Sequence, residues 1–179
     1  MIFNSHNKYG TPSRIFHGFC ALCVIAALIF IEIKPYFPKG SDGRALMQYA
    51  HIQAGLFVLW LIVPRILWRS ANSQPDIDPA PGRFIKAIAN LTHYMLYALM
   101  LVLPILGILT WQSSDHVVDF FGVTLPTIVG SSTEVKAIVK GTHEFLGNVM
   151  LYLVIVHILA ALWHHFVAKD TTFVRMFGR

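Results

Sequence analysis

HEFLGNVMLYLVIVHILAALWHHFVAK, residues 143–169, has no charge between Glu144 and Lys169 and carries histidines at 143 and 157. In a helix, at ~100° and ~1.5 Å per residue, that fourteen-residue spacing puts both rings on one face, about 21 Å apart. The uncharged part, Phe145–Ala168, is 24 residues long. A bilayer core is crossed by ~20 mostly apolar helical residues. A membrane helix with two histidines at two depths is the expectation.

Three more uncharged runs precede it: Ile15–Ile31 (17 residues), Ala45–Pro64 (20) and Ala87–Ser114 (28). Each holds one histidine near an end: His17, His51 and His93. The chain has 179 residues, is 55% hydrophobic and only 13% charged, against about 25% charged in soluble domains. The runs are too long for barrel strands, which need ~9–11 alternating residues. The expected fold is all-α: one integral-membrane four-helix bundle, residues 1–179, with spans at about 13–33, 45–68, 84–111 and 135–167.

The first run has a basic flank but no A-x-A site before Glu32-Ile33-Lys34-Pro35, so it is expected to be a retained helix. If the N-terminus is cytoplasmic, nine basic residues lie inside (Lys8, Arg14, Arg65, Arg69, Arg83, Lys86, Lys169, Arg175, Arg179). Five lie outside (Lys34, Lys39, Arg44, Lys136, Lys140). Both termini are therefore expected in the cytoplasm. This inside excess accounts for the net charge of +5 in a protein bound to a lipid bilayer, with no nucleic acid involved. Cys20 and Cys23 form a C-x-x-C without a following His or a βαβ context, and read as small packing residues. Ala71–Gly82, with three prolines, reads as a linker. In the long connection Gln112–Glu134, Asp115–Phe121 reads as a short amphipathic helix and Gly122–Pro126 as extended chain and turn. Ser131-Ser132 has no evident base, and no catalytic residue is assigned.

Sorted by depth, His51 and His143 share an outer layer, and His17 and His157 an inner one. Each layer draws its two histidines from two helices. Six-coordinate b-type haem needs two neutral imidazoles, one on each side of the iron, and helix bundles hold such groups in their cores. Two haems b are expected, ligated by the pairs His51/His143 and His17/His157. Gly18, Gly55 and Gly147 leave room beside the ligands. Arg14, Arg44 and Arg65, with Lys136 and Lys140, are candidates for the haem propionates. His164 is seven residues beyond His157, on nearly the same helical face. His93 and His164 are candidates to bind a quinone head and relay protons. His6 and His116 read as loop residues.

These residues resemble the bacterial cytochrome b561 family of small di-haem membrane proteins. The resemblance runs from about Ser13 to Met176. It rests on His17-Gly18, Tyr36-Phe37-Pro38, His51, Arg65…Arg69, Gly122-Val123-Thr124-Leu125-Pro126, His143-Glu144, His157, His164-His165…Lys169-Asp170 and Arg175-Met176. It implies haem ligation by the same four histidines and ubiquinone chemistry in the bacterial inner membrane. One branch of the family implies a superoxide:ubiquinone oxidoreductase (superoxide oxidase). Electrons from periplasmic superoxide would then enter at the outer pair and leave at the inner pair, with protons supplied near His93, His164 or Lys169. The scaffold is also similar to the cytochrome b subunits of formate dehydrogenases and nickel-iron hydrogenases, which implies the alternative of an electron-transfer subunit docking a partner enzyme. A haem-free transporter with a histidine-lined path is a third reading, from another class.

Superoxide is an anion, and cations at the outer mouth would steer it inward. The outer segments hold five bases against six acids (Glu32, Asp42, Asp115, Asp119, Glu134, Glu144), so only local clustering of the bases would attract it. The sequence leaves the oligomeric state undecided.

Overall fold

The computed structural model describes residues 1–178. Four long helices carry the fold: α1 (Thr11–Ile33), α2 (Asp42–Ser70), α3 (Arg83–Gln112) and α4 (Thr133–Trp163). A one-turn helix, α5 (Val174–Phe177), ends the described chain. Pro12 opens α1 from its first turn, where a missing N–H costs nothing. Ser41 and Ser132 cap α2 and α4, their hydroxyls accepting from the N–H of Arg44 and Val135 (3.3 Å each). Asp42 and Glu134 sit in the first turns, where the helix dipole favours an acid. Ser132 is thus a helix cap. α2 and α3 continue through Pro64 and Pro104.

The two chain ends lie together. The Tyr9 N–H donates to the Arg175 carbonyl (3.0 Å), and Arg14 donates to the Phe177 carbonyl (2.9 Å). We call this the terminal end of the bundle and the opposite one the distal end. At the terminal end three segments interlock. Asn4 donates to the Ser73 carbonyl and Tyr9 to Gln74, tying the N-terminal arm to the α2–α3 linker. The Thr171 N–H reaches Asp78, and Arg175 reaches the Pro75 carbonyl, tying the tail to the same linker.

All four long helices have the length and composition of membrane spans. Their outward faces carry large apolar side chains such as Leu22, Trp60, Leu67, Tyr152 and Leu159, each 58–68% exposed. Side chains of this kind belong against lipid. α1 packs on α2, α2 on α3, and α3 on α4; among the described residues α4 has no comparable packing on α1 or α2. Cys23, Val24, Val58, Ile62, Leu96, Leu99, Met100 and Met150 form the buried core. Met150 is seven residues from both His143 and His157, so this apolar cluster lies midway between the two histidine depths. Cys20 and Cys23 are buried free thiols.

The segment expected to be an amphipathic helix at Asp115–Phe121 is instead one arm of a hairpin. β1 (Asp119–Phe120) pairs antiparallel with β2 (Val123–Thr124). The two turn residues, Phe121 and Gly122, both have positive φ (49° and 89°), the backbone of the tight turn that matches strand twist. Asp119 Oδ1 accepts the Gly122 N–H (3.0 Å) and closes the turn. Gln53 of α2 donates to the Asp119 carbonyl (2.8 Å), and Phe120 packs on Phe57 and Trp60, so the hairpin is laid along α2.

Candidate haem-binding site

Two pairs of imidazoles face each other across the gap beside α4. At the distal end, His51 of α2 and His143 of α4 have ring centres 6.2 Å apart. At the terminal end, His17 of α1 and His157 of α4 have ring centres 6.4 Å apart. An imidazole nitrogen sits about 2 Å from a first-row metal ion, and the ring centre about 1.1 Å behind it. Two rings on opposite sides of one ion are therefore about 6.2 Å apart. Both pairs fit that geometry.

The distal rings are aimed from behind. Nδ1 of His51 donates to the Ala27 carbonyl of α1 (2.8 Å), and Nδ1 of His143 donates to the Leu103 carbonyl of α3 (3.0 Å). Each bond puts the proton on Nδ1 and leaves the Nε2 lone pair available for a metal. Gly107 makes the second contact possible: a Cβ there would stand 3.3 Å from Cε1 of His143. Gly18, Gly55 and Gly147 border open space, since a Cβ on any of them would meet nothing within 4 Å. Glycines beside the histidines, and α4 standing off from α1 and α2, leave a flat group room between the helices. The residues present fit haem.

The terminal rings are set differently. His17 Nδ1 is buried without a hydrogen-bond partner. The Phe177 ring stands edge-on to His17 at 6.0 Å and covers it from the tail. His93 lies edge-on to His157 at 5.4 Å, and its Nδ1 donates to Ala89 of its own helix (2.6 Å). A cavity of about 40 Å³ beside His17 is also lined by Arg65, Arg69, Tyr97 and Trp68.

Each arginine proposed for a propionate already has partners. Arg14 is on Phe177. Arg44 donates to the Lys34 and Phe37 carbonyls (3.4 and 3.1 Å), and Arg65 to the Tyr97 hydroxyl and the Phe16 carbonyl (3.3 and 3.5 Å). Of the three, Arg65 shares a cavity with a paired histidine. Lys136 is exposed, and Lys140 pairs with Glu144 at 3.6 Å.

His93, His164 and Lys169 each have their own local setting. The α-helical part of α4 runs to Trp163, and His164 keeps α-helical dihedrals (φ −60°, ψ −37°), so the seven-residue register with His157 reaches His164, where a wider π-turn over His164–Ala168 begins. His164 packs on Trp163 and pairs through Nδ1 with the Asp170 carboxylate. Lys169 is exposed, in a left-handed conformation that ends the turn.

Asp170 has a role that its place in the sequence did not reveal. Its side chain is buried, and burial alone would raise its pKa. The hydrogen bond from the Thr172 N–H (2.8 Å) and the pairing with His164 outweigh that and hold the carboxyl below its ordinary value. A carboxyl whose pKa is depressed by folding contributes stability above its unfolded pKa, near 4, and loses it as pH falls through the folded value. Thermal unfolding of the wild type in detergent should therefore weaken below about pH 4, and Asp170→Asn should flatten that acid limb. An unchanged limb in the variant would show that the pair does not carry it.

Comparison with known proteins agrees with this frame. The family model described as prokaryotic cytochrome b561 matches residues 8–179. The chain is 35% identical to cytochrome b561 homolog 1 of Escherichia coli K12, over 97% of this chain and 98% of that protein. It is 31% identical to the probable superoxide oxidase CybB of Yersinia pestis, over 96% of each. It is 26% identical to cytochrome b561 homolog 2 of Escherichia coli K12, over 98% of this chain and 94% of the relative. Four apolar spans framing two facing imidazole pairs, matched end to end by that model, settle the assignment: the chain belongs to the prokaryotic cytochrome b561 family of multi-pass, haem b electron carriers.

Proposed function

We propose that the chain holds two haems b, one on His51 and His143 and one on His17 and His157, and oxidises superoxide outside the inner membrane while reducing ubiquinone. The observation that carries this reading is the pair of ring separations, 6.2 and 6.4 Å, at two depths of one bundle. Bound haem supplies reversible one-electron chemistry. The basic-residue count puts the terminal end in the cytoplasm and the distal pair toward the periplasm.

This chain's own residues do the rest. The four imidazoles hold and orient the cofactors, and the core around Met150 keeps water from the space between them. At the distal end Arg44 and Lys140 each lie within electrostatic reach of Lys34, and Glu144 is the acid near it. That is the local cluster of cations that a superoxide-attracting mouth requires. The name of the Yersinia relative, probable superoxide oxidase, points to the same substrate. Phe177 and the interlocked tail cover the inner pair on the aqueous side, which favours an acceptor arriving through the lipid. Two superoxide ions give up one electron each and leave as oxygen; ubiquinone takes both electrons and two protons. His93, His164 and Lys169 are the groups at that end able to pass protons.

Purified protein in detergent, given a pulse of superoxide, should show its b-type spectrum shift to the reduced form within mixing time. Added ubiquinone should return it to the oxidised form. A spectrum that superoxide leaves oxidised, yet dithionite reduces, would reject the superoxide reading and leave a carrier for a docked partner.

A further inference from the structure

The two imidazole pairs differ in what stands behind them. Both distal rings donate to a main-chain carbonyl, Ala27 for His51 and Leu103 for His143. Among the described residues, no hydrogen bond reaches either ring of the terminal pair, and His17 Nδ1 is buried and unpartnered. A donated N–H pushes electron density onto the imidazole and makes it a stronger ligand. Stronger donation favours the oxidised metal, so on this ground alone the distal centre is the harder of the two to reduce.

Fixed charge acts in the same sense. Arg65 and Arg69 stack over Tyr97, their guanidinium carbons 5.3 and 5.6 Å from the ring centre. Arg65 is held by the Tyr97 hydroxyl and by the Phe16 carbonyl, next to His17. Both arginines line the small cavity that His17 lines. Among the described residues neither makes an ion pair. Two uncompensated cations beside a metal centre favour its less positive, reduced form. At the distal end the fixed charges that act on the rings oppose each other, Lys34 on His51 and Glu144 on His143, and Arg44 is turned onto the loop carbonyls.

From this asymmetry we infer that Arg65, with the unanchored His17, sets the inner centre at a higher reduction potential than the outer one, so that electrons run downhill from the distal to the terminal end. Arg65 is a positioning residue in this scheme: it touches neither reacting molecule and acts through the ligand pair beside it. The inference rests on the proposed haem ligation and adds a direction to it.

The test is a spectroscopic redox titration of the purified haem-loaded protein, with each centre assigned from the single variants His51→Ala (inner centre remaining) and His157→Ala (outer centre remaining). In the wild type, the component that survives in His51→Ala should have the higher midpoint. Arg65→Gln should lower that component alone. A unit charge at ~10 Å, at an effective dielectric near 20, is worth about tenfold in such an equilibrium, so the reduced-to-oxidised ratio at fixed ambient potential should fall by about that order. Arg65→Lys should restore most of the shift, and the outer component should stay in place in both.

Equal or reversed wild-type midpoints would overturn the inference, as would an Arg65→Gln shift spread over both components. If Arg65→Gln does not accumulate as folded protein, the order of the wild-type midpoints decides alone. Failure of the ligation itself looks different: there would be fewer than two b-type components, or variants that do not separate them.

Discussion

His143→Ala removes one b-type centre and leaves the other, and His51→Ala removes the same one. The expectation follows from the cross-helix pairing. His51 and His143 face each other at 6.2 Å, whereas His157, on the same helix as His143, faces His17 on α1. Losing one imidazole leaves a five-coordinate site at best, and the remaining ring stays anchored to its carbonyl. Haem content should fall by about half in each single variant, because each pair serves one group. The double variant His51→Ala/His143→Ala should fall no further than either single one. His17→Ala and His157→Ala should remove the complementary component. Pairing by depth makes this outcome specific. Were the pairs His51/His17 and His143/His157, the spectral losses would group differently, and the measured difference spectra would show it.

The second large effect concerns the distal mouth. Charge reversal of Lys34 and Lys140 together, both to Glu, should slow reduction by superoxide about tenfold or more at low ionic strength, since focused fields of this kind change encounter rates by ~10–10³. The effect should fade as salt rises, because exposed charges are screened beyond ~10 Å at 0.1 M. Reoxidation by ubiquinone should be unaffected, since a neutral quinone does not depend on attraction at that mouth. Net charge alone argued against such steering, with five bases against six acids in the outer segments. Spatial grouping changes the balance: Arg44 in the first turn of α2 and Lys140 of α4 each lie within electrostatic reach of Lys34 at the end of α1, with Glu144, paired to Lys140, the near acid. A rate that ignores both the substitutions and the salt would mean that superoxide does not approach by this face.

Much of the fold is visible in the sequence because a bilayer imposes a one-dimensional constraint. Uncharged runs of 17–28 residues become helices across it, and helical rise converts position into depth. The same conversion groups His51 with His143 and His17 with His157, and those rings are neighbours in the structure. What stands behind the rings is not visible. The carbonyls of Ala27 and Leu103 are main-chain groups, and nothing in the identity of those residues marks them as partners.

The hairpin at Asp119–Thr124 was hidden for a different reason. Its turn needs positive φ at Phe121, a conformation bulky side chains seldom adopt. The neighbouring pattern of apolar and acidic residues imitates an amphipathic helix. The π-turn after Trp163 and the burial of Asp170 depend on how the tail folds back over the linker. That is a tertiary event with no periodic signature. Gln53 and Gln112 are similar cases. Both are buried amides that tie the long distal connection to α2 and α3, through Asp119 for the one and Pro126 and Ile128 for the other. A glutamine inside an otherwise apolar run was the available sign.

The number of haems per polypeptide in purified, detergent-solubilised protein, read with a redox titration of its absorbance, decides most about this chain. Two b-type centres per chain, each lost with one histidine pair, is the predicted result. Protein that stays colourless after full haem supply, or that binds a single centre per chain, would contradict it.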